Sequence, residues 1–315
     1  MKKQISYLSV LILSAGLFFS SCKKENKTET DATAEFQTQS DDQAQFTTET
    51  DAVSDDANAA IETVGGSYAG ERPMNPVVPL DLPCHASLAV DTVSNPRTIT
   101  INYNGANCSN TRIRTGSVII SFAPGFRWAI AGQQYTVTTQ NLKITRLRDN
   151  KSITINGEKT VTNVSGGRLR NLATRVNPIV HDITSSGINV TFNDGTQRNW
   201  QIAKRRTFTY DNGIVIAVSG THSAGVVTGI AEWGTNRAGN AFTSAILEPM
   251  VVKQSCDFRL VSGKLQHTGP AVTTITTFGL DAAGFPVTSC PSGVFYYKLV
   301  WTGPAGTPYT VIRPY

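Results

Sequence analysis

The chain has 315 residues, with 28 Lys and Arg against 23 Asp and Glu, five Cys, 40% apolar and 16% charged residues. That apolar share excludes a wholly disordered protein, and the charged share is well below the roughly 25% of an average soluble domain. The net charge of +5 hides unequal blocks: residues 1–22 carry Lys2 and Lys3, residues 23–63 carry three Lys against eleven acids, and residues 64–315 carry 23 basic against 12 acidic side chains. Such blocks mark segments with different jobs, so the three are taken in turn.

Lys2 and Lys3 precede an apolar run from Ile5 to Phe19. At about 15 residues it is short of the roughly 20 that span a bilayer and fits the apolar core of an export signal, residues 1–21. The run ends in Phe19-Ser20-Ser21-Cys22, which resembles the lipobox of bacterial lipoproteins, with Phe19 where Leu is usual. The resemblance implies cleavage before Cys22 and lipidation of that residue. Two or three acyl chains anchor a protein stably where one does not. The expectation is an outer-membrane lipoprotein, on the periplasmic face or at the cell surface. No later apolar run reaches 18 residues, so attachment without spanning is expected.

Residues 22–65 read as an acidic disordered tether. Asp41-Asp42, Asp51 and Asp55-Asp56 stand among polar residues, and Phe36, Phe46, Val53 and Ile61 are nearly the only bulky apolar ones. So little apolar surface does not offset the entropy of ordering, and one or two helical turns around Asp51 to Glu62 is the most structure expected. A flexible coil of about 40 residues would hold the following domain on the order of 35 Å from the lipid. The residue pattern of a calcium loop is absent from this stretch.

From residue 66 to 315 the texture is that of a β domain, with a division into two sub-domains near 166–185 left open. Thr98-Ile99-Thr100-Ile101-Asn102-Tyr103 alternates and meets Asn104-Gly105; Ile153-Thr154-Ile155 meets Asn156-Gly157; Ile188 to Phe192 meets Asp194-Gly195; Thr207 to Tyr210 meets Asn212-Gly213. Asn-Gly and Asp-Gly between alternating runs predict hairpin turns, because both residues accept positive φ. The fold class expected is all-β: mainly antiparallel, hairpin-rich sheets, as a sandwich or extended meander of about fourteen strands.

Export places Cys84, Cys108, Cys256 and Cys290 in an oxidising compartment, where an even number predicts two disulfides. Of three connectivities, Cys84 with Cys108 and Cys256 with Cys290 is preferred, since each pair flanks a strand and a turn; each closed loop stabilises by roughly 3 kcal/mol in the entropy account. The two Cys regions also parallel each other, Thr98 to Tyr103 and Val118 to Phe122 in the first matching Thr273 to Phe278 and Tyr296 to Val300 in the second. No C-x-x-C and no His pair at ligand spacing occurs, so no metal and no cofactor is expected.

Taken together, the lipobox at Cys22, the acidic stretch around Asp51 to Asp56, Arg97 to Ile101 leading to Cys108 and Arg112 to Gly116, Thr160 to Asn163, and Gly234 to Asn240 before Cys256 resemble a family of uncharacterised secreted lipoproteins of Bacteroidota. The resemblance covers nearly the whole chain and carries over no activity to any residue.

Catalytic patterns are thin. Gly220-Thr221-His222-Ser223-Ala224-Gly225 approaches the G-x-S-x-G nucleophile elbow but has Thr221 where the first Gly must sit, ends a β run, and reads as a loop. The histidines at 85, 181, 222 and 267 are scattered and read as surface or strand-end residues. Glu232 is the only body carboxylate beside a Trp, and no acid partner for glycoside chemistry is evident. The chain is therefore expected not to be an enzyme.

A binding face is more visible. In Arg198 to Tyr210 the even positions include Arg198, Trp200, Lys204 and Arg206, so one face of a single strand would mix cations with aromatics. That face suits an anionic glycan or lipopolysaccharide by stacking and charge. The plainer reading makes Lys204-Arg205-Arg206 a strand end or bulge, sends Trp200 and Phe208 into a core and leaves the cations solvated. Nucleic acid is not expected for an exported lipoprotein. The acidic tether itself is an alternative occupant of the basic body. The function expected is a noncatalytic structural or binding module, with a surface glycan-binding or glycan-degrading protein as the alternative.

Overall fold

A computed structural model describes residues 29–64, 83–270, 272–302 and 308–315, with side chains of the first stretch described for residues 38–62. The export signal, Cys22 and residues 65–82 lie outside the described residues. In chain order the elements are a helix α1 (Glu29–Val64), then β1 (Ala86–Asp91), β2 (Arg97–Ala106), β3 (Arg112–Phe122), β4 (Gln133–Arg146), β5 (Ser152–Asn163), β6 (Ile179–Phe192) and β7 (Gln197–Tyr210). They continue as β8 (Ile214–Gly220), β9 (His222–Ala224), β10 (Val227–Thr235), β11 (Ala241–Lys253), β12 (Arg259–Thr268), β13 (Thr273–Leu280), β14 (Tyr296–Thr302) and β15 (Pro308–Pro314).

The body is all-β, one antiparallel sheet of fifteen strands. Strands β1 to β7 follow each other as a meander, β10 pairs with β7, and β11 to β15 complete the row; β8 bridges β7 and β11 on a branch, and β9 pairs with β10. Across residues 166–185, where a division was left open, β5 and β6 pair from Ile153 opposite Phe192 to Asn163 opposite His181, so the sheet is continuous there.

Alternation sets the buried face. β7 keeps period two, with Arg198, Trp200, Ile202, Lys204, Arg206 and Phe208 all buried and Ala203 the one buried residue of its other face. Neighbouring strands do not. In β4 the buried set passes from Tyr135, Val137 and Thr139 to Leu142 and Ile144, and in β6 from His181 and Ile183 to Ile188 and Val190. These phase changes coincide with register shifts between Thr115 and Ser117 in β3, Thr139 and Leu142 in β4, and Thr184 and Ile188 in β6. A bulge adds an unpaired residue, bends its strand and increases twist. A run of bulges through consecutive strands lets the sheet curl, and the concave face holds α1.

Two of the four expected hairpin turns are turns: Asp194-Gly195 joins β6 to β7 and Asn212-Gly213 joins β7 to β8. The other two are corrected. Asn104-Gly105 lies within β2, which pairs on to Ala106, and Asn156-Gly157 lies within β5. Gly157 is needed there for close approach instead: its φ is +148°, and a Cβ would stand 2.9 Å from the Gly187 carbonyl oxygen.

Both disulfides form as expected, Cys84 with Cys108 and Cys256 with Cys290. Each closes the open end of a hairpin: the first spans β1 and β2, the second β12 and β13. The parallel between the two Cys regions is therefore one of layout, Cys, two strands, Cys, next strand.

The expectation of a disordered tether fails over Glu29–Val64, which is a 36-residue helix. It contains neither Gly nor Pro, and seven of its residues are Ala. Its charges are all acidic, so it has no i,i+4 ion pairs of its own, and an isolated helix of this composition is marginal in water. Tertiary packing forms it. Phe46, Val53, Ala57, Ala60 and Ile61 are at most 2% exposed and belong to the same core cluster as Ile99, Ile101, Val118, Ile120, Leu142, Ile153 and Trp200 of the sheet. Each of the three large ones contributes roughly 2 kcal/mol of burial. Exposed residues of the described turns, such as Ser40, Ala44, Thr48 and Asp55, form a narrow outer stripe.

A sheet that uses α1 as its inner core does not keep its fold without it. A fragment starting at residue 65 is expected to lose near-ultraviolet circular dichroism and bind a hydrophobic dye, whereas the chain from residue 22 keeps a cooperative urea transition; equal cooperativity in both would contradict the packing.

Candidate functional site

The strand marked as a ligand face is covered by α1. Down β7, Arg198 pairs with Asp42 and donates to Gln39 Oε1 at 2.7 Å, Trp200 stacks on Phe46 with centroids 4.3 Å apart, Lys204 pairs with Asp51 at 3.4 Å, and Arg206 pairs with Asp55 at 2.7 Å. Positions 198, 200, 204 and 206 thus meet 42, 46, 51 and 55. Eight strand residues rise about 26 Å and thirteen helical ones about 20 Å, so helix and strand run in the same sense but cross obliquely.

Other strands complete the walls. Arg146 binds Asp41 through two hydrogen bonds of 2.9 Å, and Lys151 adds a third at 3.1 Å. Arg237 binds Asp42 through another pair of 2.9 Å. Glu49 takes Arg112 and Arg114, and Asp56 takes Arg114 at 3.1 Å and the Tyr103 hydroxyl at 2.7 Å. Glu62 accepts the backbone N–H of Leu169 at 3.0 Å. All seven acids between residues 38 and 62 are therefore engaged by the β body. Arg198, Lys204 and Arg206 are buried against α1 and not open to a ligand, while Arg205 on the opposite face is exposed. Of the plainer reading, Trp200 and Phe208 do enter the core, but Lys204 to Arg206 lie inside β7 rather than at a strand end, and Arg198, Lys204 and Arg206 are not solvated.

Burial and charge set the protonation of the groove. The Arg146 hydrogen bonds hold the Asp41 carboxyl down at about 2. Burial opposes ionisation of Asp51, but the charges of Lys204, Arg206 and Lys159 overcome it and keep its carboxyl below the ordinary range. Lys159 is 4% exposed, with its Nζ 2.6 Å from both the Thr50 carbonyl and Ser54 Oγ, and burial pushes its ammonium down to about 7. Desolvation likewise lowers Arg198 to about 10. Glu232 is 2% exposed and receives Lys204 at 2.7 Å, Thr47 at 2.7 Å and the Trp200 indole N–H at 3.2 Å. Three donors hold that carboxylate as a structural acceptor.

The remaining candidates fall as follows. His181 and His267 are buried rather than at the surface, and desolvation lowers them to about 3 and about 4, so both are neutral in the fold. His181 sits between Trp128 and Phe208, each 4.9 Å away, and His267 is 3.1 Å from Ser244. His222 stacks on Trp233 at 4.0 Å, and the Gly220 to Gly225 segment holds the end of β8 and the short β9. Among the described residues no group of three or more His, Cys, Asp or Glu gathers as metal ligands.

Sequence reasoning offered the acidic stretch as an occupant of the basic body but missed that it is a helix, although a signal was present. Asp42, Glu49 and Asp56 recur every seven residues, and so do Phe46, Val53 and Ala60. Two parallel stripes at near-helical spacing are the mark of a helix with one face meeting cations and the other meeting a core.

No family model matches the chain, and comparison with curated proteins and with solved structures finds no match.

Breaking a buried pair leaves an uncompensated charge and costs about 3–5 kcal/mol. Asp42→Ala, which strips Arg198 and Arg237 together, is expected to lower the urea unfolding free energy by that amount, while Thr48→Ala on the outer stripe stays within about 0.5 kcal/mol. Equal effects at the two positions would contradict the assigned pairing.

Proposed function

We propose that the chain is a lipid-anchored exported protein of the outer membrane or cell surface, akin to the secreted lipoproteins of Bacteroidota, and that it acts without catalysis as a structural or binding module. Its anchor is Cys22, and α1 serves as the stem that joins the anchor to the sheet. The observation that carries this reading is the welding of α1 into the body through all seven of its described acids. Only six residues, 23–28, separate Cys22 from Glu29, at most about 25 Å of extended chain. Force or position imposed at the lipid passes to the sheet through that helix.

Two features support a noncatalytic role. The carboxylate most suggestive of acid–base work, Glu232, is filled by three donors, and the cation-aromatic strand is used for holding α1. With Arg198, Trp200, Lys204 and Arg206 covered, an anionic glycan or lipopolysaccharide would have to be met by other residues.

Metabolic labelling with a palmitate analogue tests the anchor. The wild type is expected to take up label and fractionate with membranes, and Cys22→Ala to do neither; an unlabelled wild type, or label retained by Cys22→Ala, would refute the anchor.

A further inference from the structure

At the C-terminal end of α1 two loops form one platform, the β3–β4 loop (residues 123–132) and the β5–β6 loop (residues 164–178). Together they carry Arg127, Arg168, Arg170 and Arg175 and no acidic residue. The loops are knitted rigidly. Asn163, fully buried, donates its side-chain amide to the Trp128 carbonyl at 2.7 Å and to the Gly167 carbonyl at 2.9 Å, and the Gly167 N–H bonds the Ala129 carbonyl at 2.8 Å. Gly166 sits at φ +70°, where a Cβ would lie 2.8 Å from the Ala129 oxygen, and the Arg175 guanidinium fills the space a Cβ on Gly167 would take. Beneath lies an aromatic box of Phe126, Trp128 and Tyr135.

On this rigid base the loops hold apolar side chains outward: Val176 is 98% exposed and Ile130 51%. Arg127, Arg170 and Arg175 are exposed alongside them. Glu62 lies beside Arg168 and Arg170, with its carboxylate on the Leu169 N–H, and burial raises its pKa.

We propose that this platform docks on an anionic lipid bilayer, with Arg127, Arg170 and Arg175 on headgroup phosphates and Val176 and Ile130 entering the boundary between headgroups and acyl chains. The combination selects the partner. A protein interface needs roughly 800 Å² per side with a contiguous apolar centre, whereas these apolar side chains project singly from loop tips. A bilayer deforms around separate tips, takes apolar side chains at its interface, and attracts basic residues when anionic. A soluble polyanion would use the arginines and leave Val176 without a role.

The platform is distinct from the Cys22 anchor, and its test removes that anchor. The chain from residue 22 carrying Cys22→Ser is mixed with vesicles of phosphatidylcholine alone or with about one third phosphatidylglycerol, and bound protein is measured by flotation. Binding is expected to the anionic vesicles only. Arg127→Ala/Arg170→Ala/Arg175→Ala should weaken it on the order of a hundredfold, and the triple Lys variant should retain most of it. Ile130→Ser/Val176→Ser should weaken it about tenfold. All substituted side chains are exposed, and an unchanged urea transition confirms that each variant is folded. No binding, equal binding to neutral vesicles, or binding insensitive to the arginine changes would overturn the proposal; loss with the alanines but not the serines would overturn bilayer insertion.

Discussion

Seven carboxylates on one helix meet a concave surface that carries the matching arginines and lysines, and neither half is tenable alone. Arg198, Lys204 and Arg206 are each 7% exposed or less, and a charge so placed costs several kcal/mol unless an opposite charge and further donors or acceptors surround it. The helix supplies those charges. In return the β body supplies the positive partners of the helix among the described residues, since α1 itself contains none. The block charges of −8 over residues 23–63 and +11 over residues 64–315 are the sequence-level trace of this arrangement.

Magnitudes separate what stabilises from what specifies. Phe46, Val53 and Ile61 together give about 6 kcal/mol from burial, a substantial part of a typical domain's net stability. The ion pairs roughly break even against their desolvation, yet each is severe to break from one side. Their contribution is register: a helix slipped by one turn along β7 would set Asp42 and Asp51 against the wrong positions and leave buried cations unpaired. Curvature belongs to the same arrangement, because the bulges in β3, β4 and β6 let strands on both flanks of β7 reach the helix.

The strands were legible where local signals and tertiary demands agree. Alternation gave the β class, Asp194-Gly195 and Asn212-Gly213 marked real turns, and Cys spacing named both disulfides. Asn104-Gly105 and Asn156-Gly157 carry the same turn chemistry but serve other ends; the glycine at 157 admits a neighbouring backbone. The helix was misread because composition counts apolar residues and this helix buries acids. Sparse apolar content argues for disorder only when the polar groups stay in water. For the site, period-two spacing put Arg198, Trp200, Lys204 and Arg206 on one face if Arg198 to Tyr210 is a single strand, which it is; the helical form of the acidic stretch that covers this face was outside the reach of a strand-by-strand reading.

Under the anchor proposed at Cys22, a stem fixed inside the sheet would make the body's position answer to that attachment. With the inner face filled by α1, the surfaces open to a partner are the outer ones. The claim on which this depends, that α1 is an integral core element, is tested most directly by native-state hydrogen exchange. The amides of residues 43–61 are expected to exchange only through global unfolding, with the same free energy as β5 and β7. Exchange of those amides near the rate of an unstructured peptide, while β5 and β7 stay protected, would contradict it.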